Sequence, residues 1–414
     1  MLSTVLLGLL QTTWVVDAAA GPGFHFTDLP AAIAAAASGD TILVRAGSYS
    51  AFSITGKALA IRGDGASVTI VNGPSHVVSS TPSGSVNLFA GLTIQGEMTA
   101  NLQARVELLD CIVVGRGGTF SGSVALSVVQ SELFASRCQI TGGEVFAPAS
   151  GLGPSGLGQT YAGNAVTLQQ GFFGAYDCDL SGGANFANNP FMQHSGGQGL
   201  AVWTSSWTRV DSCRITGGNA LHAGGRGIDV NGDGHVQIQG DATDIVRGGT
   251  AGFGGAAPAI YVQSSPVVLP SIVTVHGTTP IVGTVTGPVT FGAPQLPELS
   301  VAATTLPSGE TDATQPVTVT FDGLVPSAPF ALLIGFQLDY TPSLAPLVGD
   351  LLVDVASAAF LTGALDPAGQ LQFGFVPVGL FGGGVPFPFY MQAATFDPNG
   401  DVRLSNLDAR FYSL

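Results

Sequence analysis

Four segments of the chain repeat one alternation of apolar and polar positions and end at a glycine turn. In order they read VELLDCIVVGRGG, ELFASRCQITGG, FFGAYDCDLSGG and WTRVDSCRITGG. In each, a cysteine stands two residues before an aliphatic residue and four before a glycine; the cysteines are Cys111, Cys138, Cys178 and Cys213. Side chains two apart on a strand share a face. The repeat therefore predicts stacked coils of a solenoid, with the cysteine and the aliphatic residue inside.

A second apolar strand recurs ahead of each cysteine strand, and the chain leading into it varies in length. These strands read VALSVVQ, AVTLQQ, LAVWTS, GIDVNG and AIYVQS, and they start at Val124, Ala165, Leu200, Gly227 and Ala259. The variable segments are residues 144–164, 184–199, 219–227 and 250–258. In a solenoid, insertions at one place in the coil all emerge on one side. We therefore expect the function on that side.

The start of the chain predicts a cap and a first coil. Thr27 or Asp28 can cap a short Ala-rich helix over Leu29 to Ala37, which Gly39 ends. The runs SGDTILVRAGSY and GKALAIRGDG follow. These residues resemble the N-terminal cap and first coil of the pectin lyase-like right-handed parallel β-helix superfamily. The resemblance implies an all-β fold, a right-handed parallel β-helix with a short N-terminal cap helix over residues 12–290.

The same resemblance implies where a ligand would bind, but it identifies no single activity. In the superfamily the substrate groove lies against the strand that follows the variable loops. Its members include polysaccharide lyases and hydrolases, adhesins and many secreted proteins of unknown role.

The last part of the chain has a different pattern, short alternating apolar segments separated by turns. This spacing predicts an antiparallel β-sandwich over residues 295–414. The run PFYMQAATFDPNGDVRLSN resembles a C-terminal β domain common in secreted planctomycete-type bacterial proteins, for which the resemblance implies no activity. The domain is acidic, with eleven acidic residues against Arg403 and Arg410.

The first residues predict a secreted protein. Leu2 to Leu10 form an apolar run that is too short to span a bilayer and has the length of a signal-peptide core. No basic residue precedes it and no A-x-A site follows. We predict a truncated signal peptide over residues 1–11, the alternative being an apolar N-terminal strand. No later stretch approaches 18 apolar residues, so no transmembrane segment is predicted.

The charge excludes one class of partner. The 414 residues include 12 basic and 27 acidic ones, for a net charge of −15. Such a surface repels polyphosphate, which argues against nucleic acid. It also keeps an extracellular or cell-surface protein soluble, and that is the location we predict.

The cysteines admit three interpretations. At equivalent places in successive coils they would stack as a buried ladder of free thiols, behaving as small apolar side chains. An even count in a secreted chain also allows two disulfides. Zinc sites made of cysteines usually contain C-x₂-C pairs, and none is present. The constant spacing favours the ladder.

Alternation along the strands after the loops predicts two outward columns. One contains Ser127, Thr167, Ala201, Asp229 and Tyr261, and the other contains Val129, Gln169, Trp203, Asn231 and Gln263. An aromatic ring stacks on a sugar while amides and a carboxylate bind its hydroxyls. The predicted ligand-binding residues are therefore Gln169, Trp203, Asp229, Asn231, Tyr261 and Gln263. The alternative is that Trp203 packs under the loop of residues 184–199 and that the amides are a solvated ladder.

One short motif resembles a calcium loop. Asp229, Asn231 and Asp233 match its D-x-N-x-D-G opening, but Gly240 stands where an EF-hand requires a bidentate glutamate. These three residues are the candidate calcium ligands, and no other cofactor is predicted. A tight Asn-Gly turn between two strands explains the same letters without an ion.

A catalytic reading has a single candidate grouping. A β-helix lyase needs clustered acids with an arginine or lysine base, and only Arg226 with Asp229 and Asp233 comes close. The N-T-D, D-D and G-H-G signatures of polygalacturonases are absent. The remaining charges fall into outward columns of alternating sign, which stabilise an exposed sheet without catalysis; these columns contain Asp110, Arg137 and Asp177, and Gln139, Asp179 and Arg214. His194, His222 and His235 are interpreted as polar groups in loops.

These observations favour a secreted or cell-surface protein without catalytic activity, which binds glycans or other partners on the loop-flanked strands. The alternative is a polysaccharide lyase or glycoside hydrolase acting on the same face, so the sequence leaves the question of enzyme activity open.

Overall fold

The computed structural model describes residues 12–146, 159–186, 193–240, 245–253, 255–263, 271–276, 279–293, 297–304, 311–335, 338–341, 347–348, 351–353, 358–376 and 387–413. The fold is nearly all β, and the described residues contain a single helix. No helix in the described part of the chain is long and apolar enough to cross a membrane. The predicted leader over residues 1–11 lies outside the described residues.

The elements follow in chain order. The first coils contain β1 (Thr13–Val16), α1 (Leu29–Ala35), β2 (Thr41–Val44), β3 (Gly47–Ser50), β4 (Ser53–Thr55), β5 (Ala60–Gly63), β6 (Thr69–Ser79), β7 (Asn87–Ala90) and β8 (Thr93–Asn101). The middle coils contain β9 (Arg105–Leu109), β10 (Ile112–Val114), β11 (Leu126–Val129), β12 (Glu132–Ser136), β13 (Gln139–Thr141), β14 (Gln159–Tyr161), β15 (Val166–Gln169), β16 (Phe172–Tyr176), β17 (Asp179–Ser181), β18 (Gln193–Ser195), β19 (Leu200–Val202), β20 (Trp207–Asp211) and β21 (Arg214–Thr216).

The later coils contain β22 (Ile228–Val230), β23 (His235–Gln239), β24 (Ile245–Arg247), β25 (Ile260–Val262), β26 (Ile272–His276), β27 (Ile281–Val282), β28 (Val285–Thr286) and β29 (Val289–Ala293). The C-terminal region contains β30 (Glu298–Ala302), β31 (Thr311–Asp312), β32 (Val317–Asp322), β33 (Pro329–Gly335), β34 (Leu338–Thr341), β35 (Leu347–Val348), β36 (Leu351–Val353), β37 (Ala359–Ala364), β38 (Gln370–Phe375), β39 (Phe387–Phe396) and β40 (Val402–Ser413).

Two long parallel sheets contain the repeated segments. The first, with 11 strands, runs β1-β2-β5-β7-β9-β12-β16-β20-β23-β26-β29. The second, with 16 strands, runs β27-β24-β21-β17-β13-β10-β8-β11-β15-β19-β22-β25-β28, and β3, β4 and β6 pair beside it. The chain visits the first sheet, a cysteine strand and a loop-flanked strand in turn before it returns. This order is consistent with a β-helix or solenoid-like fold, as the repeat predicts.

The second sheet has two arms, the row of cysteine strands and the row of loop-flanked strands, which meet at β8. Thr93 to Gln95 pair with the cysteine strand β10, while Met98 to Asn101 pair with the loop-flanked strand β11. The bend between them falls at Gly96, where φ is 120° and a Cβ would collide with the carbonyl of Gly73. In later coils the variable loops separate the two arms.

The helix α1 covers the start of the apolar core with Leu29, Ala32 and Ile33. The Asp28 carboxylate caps it by accepting a 2.8 Å hydrogen bond from the backbone of Leu29. The predicted end at Ala37 is wrong, because the backbone of Ala36 is already extended, with ψ of 140°. The Lys57 ammonium donates to carbonyls at this end of the helix, those of Ile33 at 2.9 Å and Ala36 at 2.8 Å, and so satisfies groups that have no partner within the helix.

The four cysteines are buried free thiols, which confirms the ladder and excludes the disulfides. Backbone bonds join them: the amides after Cys138, Cys178 and Cys213 each donate to the carbonyl of the cysteine one coil earlier, at 2.9–3.0 Å. The thiols donate to nearby carbonyls, as Cys213 does to Asp211 at 3.1 Å. Burial raises the pKa of the Cys111 and Cys178 thiols, so they stay protonated in the core.

The coils turn at a corner where the backbone is left-handed. The residue before each cysteine has a φ of 51° or 52°: Asp110, Arg137, Asp177 and Ser212. Asp110 and Arg137 also belong to one predicted charge column, and the Arg137 guanidinium donates two hydrogen bonds to the Asp110 carboxylate, at 2.8 and 3.0 Å. The ion pair therefore joins successive corners.

A separate antiparallel region follows. One sheet runs β30-β32-β38, and another runs β31-β40-β39-β33-β37, with β35 beside β40. One apolar cluster draws on both sheets, including Leu299, Phe321, Leu332 and Met391.

The outer face of the first parallel sheet is covered by this region. Apolar residues of successive coils form one cluster with residues of the antiparallel region; its members include Leu88, Leu109, Phe134, Phe172, Leu333, Val353 and Tyr390. Glu107 lies in the same register as Leu88 and Phe134 and is 2% exposed. Its carboxylate oxygens have no hydrogen-bond partner among the described residues. Burial raises the pKa of Glu107 to about 8, although Arg105 opposes the shift.

We predict that Glu107 makes the fold less stable as pH rises. Its pKa is raised from 4.5 to about 8 in the folded chain, so the folded state keeps a proton that the unfolded state has lost between these values. The free energy of unfolding should fall by about 1.4 kcal/mol per pH unit across this window from this group. In Glu107→Gln this component should be absent, as measured by urea unfolding at pH 5, 6.5 and 8. An unchanged pH slope in the variant, matching a Glu144→Gln control, would contradict the assignment.

Candidate functional site

The outward side of β11, β15, β19, β22 and β25, which we call the loop-side face, carries the predicted column in register. Ser127 pairs with Thr167, Thr167 with Ala201, Ala201 with Asp229 and Asp229 with Tyr261. The inward partners, such as Leu168 and Val230, are fully buried. The columns are thus at the places that alternation predicts.

The second column ends the same strands and is more exposed. Backbone bonds of 2.8–2.9 Å to the preceding coil hold Trp203, Asn231 and Gln263. Gln169 and Gln263 are exposed, and 42% of the Trp203 surface is accessible. Trp203 is therefore partly open to solvent. Residues 187–192 of the loop before it lie outside the described residues.

Asp229 is the centre of a polar cluster. It is 4% exposed and accepts hydrogen bonds from Gln198 at 2.8 Å and from Arg226 at 2.7 Å. The Arg226 guanidinium also lies over the Tyr261 ring, 3.6 Å from its centroid. Burial raises the pKa of Asp229, while the Arg226 cation opposes the shift. The carboxylate is therefore held in an ion pair whose cation lies against an aromatic ring.

Two members of this cluster were not predicted. They are Asn164 and Gln198: the backbone amide of Gln198 donates to the Asn164 side chain at 2.8 Å, and Asn164 in turn donates to Thr167 at 3.2 Å. Asn164, Gln198 and Arg226 each stand two residues before the first inward residue of a loop-flanked strand. This shared position was a readable signal, but the unequal lengths of the loops conceal it.

The candidate calcium ligands take different partners. Asp229 faces Gln198 and Arg226, whereas Asp233 accepts hydrogen bonds from the hydroxyl of Ser205, at 2.9 Å, and from its backbone amide. A hydrogen bond from the Asn231 side chain lowers the pKa of Asp229, so Asn231 serves that carboxylate. No group of three histidine, cysteine or acidic side chains among the described residues is placed to hold a metal ion. Gly232, with φ of 74°, makes the tight Asn-Gly turn that the sequence allowed.

Two of the three catalytic candidates, Arg226 and Asp229, are bonded to each other. The Arg226 guanidinium and the Asp229 carboxylate lie 2.7 Å apart in an ion pair, so the candidate base is already bound to a candidate acid. Arg226 and Asp229 therefore neutralise each other, and Asp233 lies with Ser205 instead.

The histidines do not all lie in loops, so that prediction is wrong for two of them. His194 is fully buried in β18, where its Nδ1 is 2.6 Å from the Thr160 hydroxyl. His235 begins β23 and stacks on Trp207. His194 lies in a strand because β18, inside one variable segment, pairs with β14 of the preceding variable segment.

Comparison with known proteins finds no matching protein family and no matching curated protein. Among solved structures, the chain is similar to ORF18 of Geobacillus virus E2, with 11% sequence identity and a TM-score of 0.28. That alignment covers 89% of this chain and 79% of the other. Function therefore has to be argued from the site itself.

We predict that Arg226 is needed to keep Asp229 buried and charged. Arg226→Gln should lower the free energy of unfolding by about 3 kcal/mol at pH 8, because a buried carboxylate loses its cation. The loss should be smaller at pH 5, since without Arg226 the pKa of Asp229 rises further and the group binds a proton. Chemical denaturation at both pH values measures this. Arg116→Gln removes an exposed arginine and serves as the control; equal, pH-independent effects of the two changes would refute the prediction.

Proposed function

We propose that this chain is a secreted or cell-surface protein of the pectin lyase-like, right-handed parallel β-helix type, with a C-terminal β-sandwich, and that its loop-side face binds glycans without turnover. Parallel crossovers within one sheet are right-handed in about 98% of cases, which supports the hand. The cap helix and the long parallel sheets agree with the resemblance of the first coil.

The observation that carries the proposal is the exposed column around Trp203. Gln169 lies one coil before Trp203, and Asn231 and Gln263 lie one and two coils after it, at about 4.8 Å per coil. The indole offers an apolar surface to one face of a sugar ring. The amides on either side offer donors and acceptors for its hydroxyls. This combination, repeated along an axis, suits a chain of sugar residues.

The electrostatics of the same face support binding rather than catalysis. Asp229 and Arg226 are joined at 2.7 Å, and Tyr261 covers the cation. Lyase or hydrolase chemistry needs a carboxylate or base that is open to the substrate. The runner-up function, a polysaccharide lyase or glycoside hydrolase, would require this pair to separate. Calcium binding would also require the pair to separate, because Asp229 would have to release Arg226 and Gln198 to bind the cation.

The proposed location follows from charge and from the leader. A net charge of −15 repels nucleic acid and anionic surfaces and keeps an extracellular protein soluble. The apolar run over Leu2 to Leu10 is proposed to be part of a signal peptide. The acidic C-terminal region is proposed as an attachment or sorting module.

The test is a glycan array with and without calcium, followed by affinity measurement on any hit. Trp203→Ala should weaken binding at least tenfold, because buried tryptophan contacts dominate many interfaces. Phe360→Ala removes an aromatic ring that is more exposed than Trp203, in the antiparallel region, and should leave the affinity unchanged. Chain cleavage of the hit that is abolished by Arg226→Gln would establish the enzymatic alternative. Binding that is indifferent to Trp203→Ala would move the site away from the loop-side face.

A further inference from the structure

A second groove lies round the corner from the loop-side face, on the other side of the turn that ends β11 and β15. Its volume is about 570 Å³. Its floor belongs to the first parallel sheet and its wall to the corner residues between the two sheets. No residue that the sequence singled out as a ligand-binding candidate lines it.

The wall of the groove is a ladder of amides. Gln103, Gln130 and Gln170 line the groove and have φ values of 64°, 49° and 53°, so each stands at a left-handed turn of its coil. The Gln130 side chain donates to the Gln170 carbonyl oxygen at 3.0 Å. That bond uses one of the donors of the first amide and one acceptor site of the second, which leaves each with further hydrogen-bonding capacity. The ladder therefore offers donors and acceptors at the spacing of the coils.

The floor of the groove is a single column of the first sheet. In register it runs Arg105, Glu132, Phe172, Trp207 and His235. Arg105 donates to the Glu132 carboxylate at 2.9 Å, so the two charges compensate each other. Next to this pair, Phe172 is buried and Trp207 is 37% exposed.

Trp207 closes one end of the groove. Its ring stacks on the His235 ring with centroids 4.1 Å apart and planes at 4°. His235 lies one coil beyond the groove lining, which ends at Trp207. The histidine thus covers one face of the indole, and Trp207 itself lines the end of the groove. A supported aromatic face beside a row of amides is the arrangement that binds sugar rings.

We infer that this groove is a second binding site, for an uncharged oligosaccharide that lies along the coil stack with one ring against Trp207. The compensated Arg105–Glu132 pair offers no net charge to attract an anionic sugar, and the charge of −15 disfavours one. The site uses none of the residues proposed for the loop-side face, so binding here does not depend on Trp203.

The test uses a panel of four neutral probes, cellohexaose, xylohexaose, mannohexaose and maltohexaose, with affinity measured by calorimetry on the full chain. Trp207→Ala should weaken binding of the recognised hexaose at least tenfold. Gln170→Ala should weaken it severalfold while leaving the core intact, which covers the case in which Trp207→Ala unfolds. Phe360→Ala, which lies in the antiparallel region outside both sites, is the control and should leave this affinity unchanged.

Three results would overturn the inference. One is that none of the four hexaoses binds at millimolar concentration. Another is that Trp207→Ala and Gln170→Ala, both folded by circular dichroism, bind as the wild type does. The third is an equal loss in Trp203→Ala, which would make the groove an extension of the loop-side site. If only Trp203→Ala lost affinity for the hexaose, the proposed function of the loop-side face would be supported and the second site would be refuted. The two claims can therefore be tested separately.

Discussion

Backbone hydrogen bonding between successive coils is the constraint on which the rest of the parallel region depends. The amides of Gln139, Asp179 and Arg214 donate to the carbonyls of the cysteines one coil earlier, at 2.9–3.0 Å. Because the side-chain period on a strand is two, a slip of one residue would turn every inward group outward. One register therefore decides the core, the corners and the outward columns together.

The same register explains why charged residues are tolerated so close to the core. Asp110 meets Arg137 because both stand at the same corner of successive coils. Asp229 meets Arg226 and Gln198 because the residues entering adjacent loop-flanked strands lie side by side. Each of these two carboxylates thereby finds a donor, which offsets much of the cost of its desolvation. Glu107 is the exception, because its coil neighbours Leu88 and Phe134 offer it no polar group.

Much of this arrangement was readable from the chain. The constant distance from cysteine to glycine predicted the ladder, and alternation predicted the register from Ser127 to Tyr261. The segment FFGAYDC also carried a signal that was not used. It is apolar at successive positions, which is typical of a strand buried on both faces, and Phe172 and Phe173 are indeed both buried.

Other features depend on contacts that no local pattern encodes. The second groove combines a corner ladder with Trp207, so its wall comes from turns between the sheets and its floor from the first sheet. The outer face of the first sheet packs against the antiparallel region. Leu88 and Leu333 belong to the same apolar cluster although more than 200 residues separate them along the chain. Unequal loop lengths likewise separate Asn164, Gln198 and Arg226 in sequence, although their positions in the coil are equivalent.

The register itself is tested most directly by cross-linking across two coils. Gln139 and Asp179 are paired outward residues of β13 and β17. Gln139→Cys with Asp179→Cys places two Cα atoms about 4.8 Å apart, within disulfide range. Gln139→Cys with Ser181→Cys is offset by two residues and about 8 Å, which is too far. Mass spectrometry after mild oxidation should find the first disulfide and not the second; the reverse outcome, or equal yields, would contradict the stacking of the coils described above.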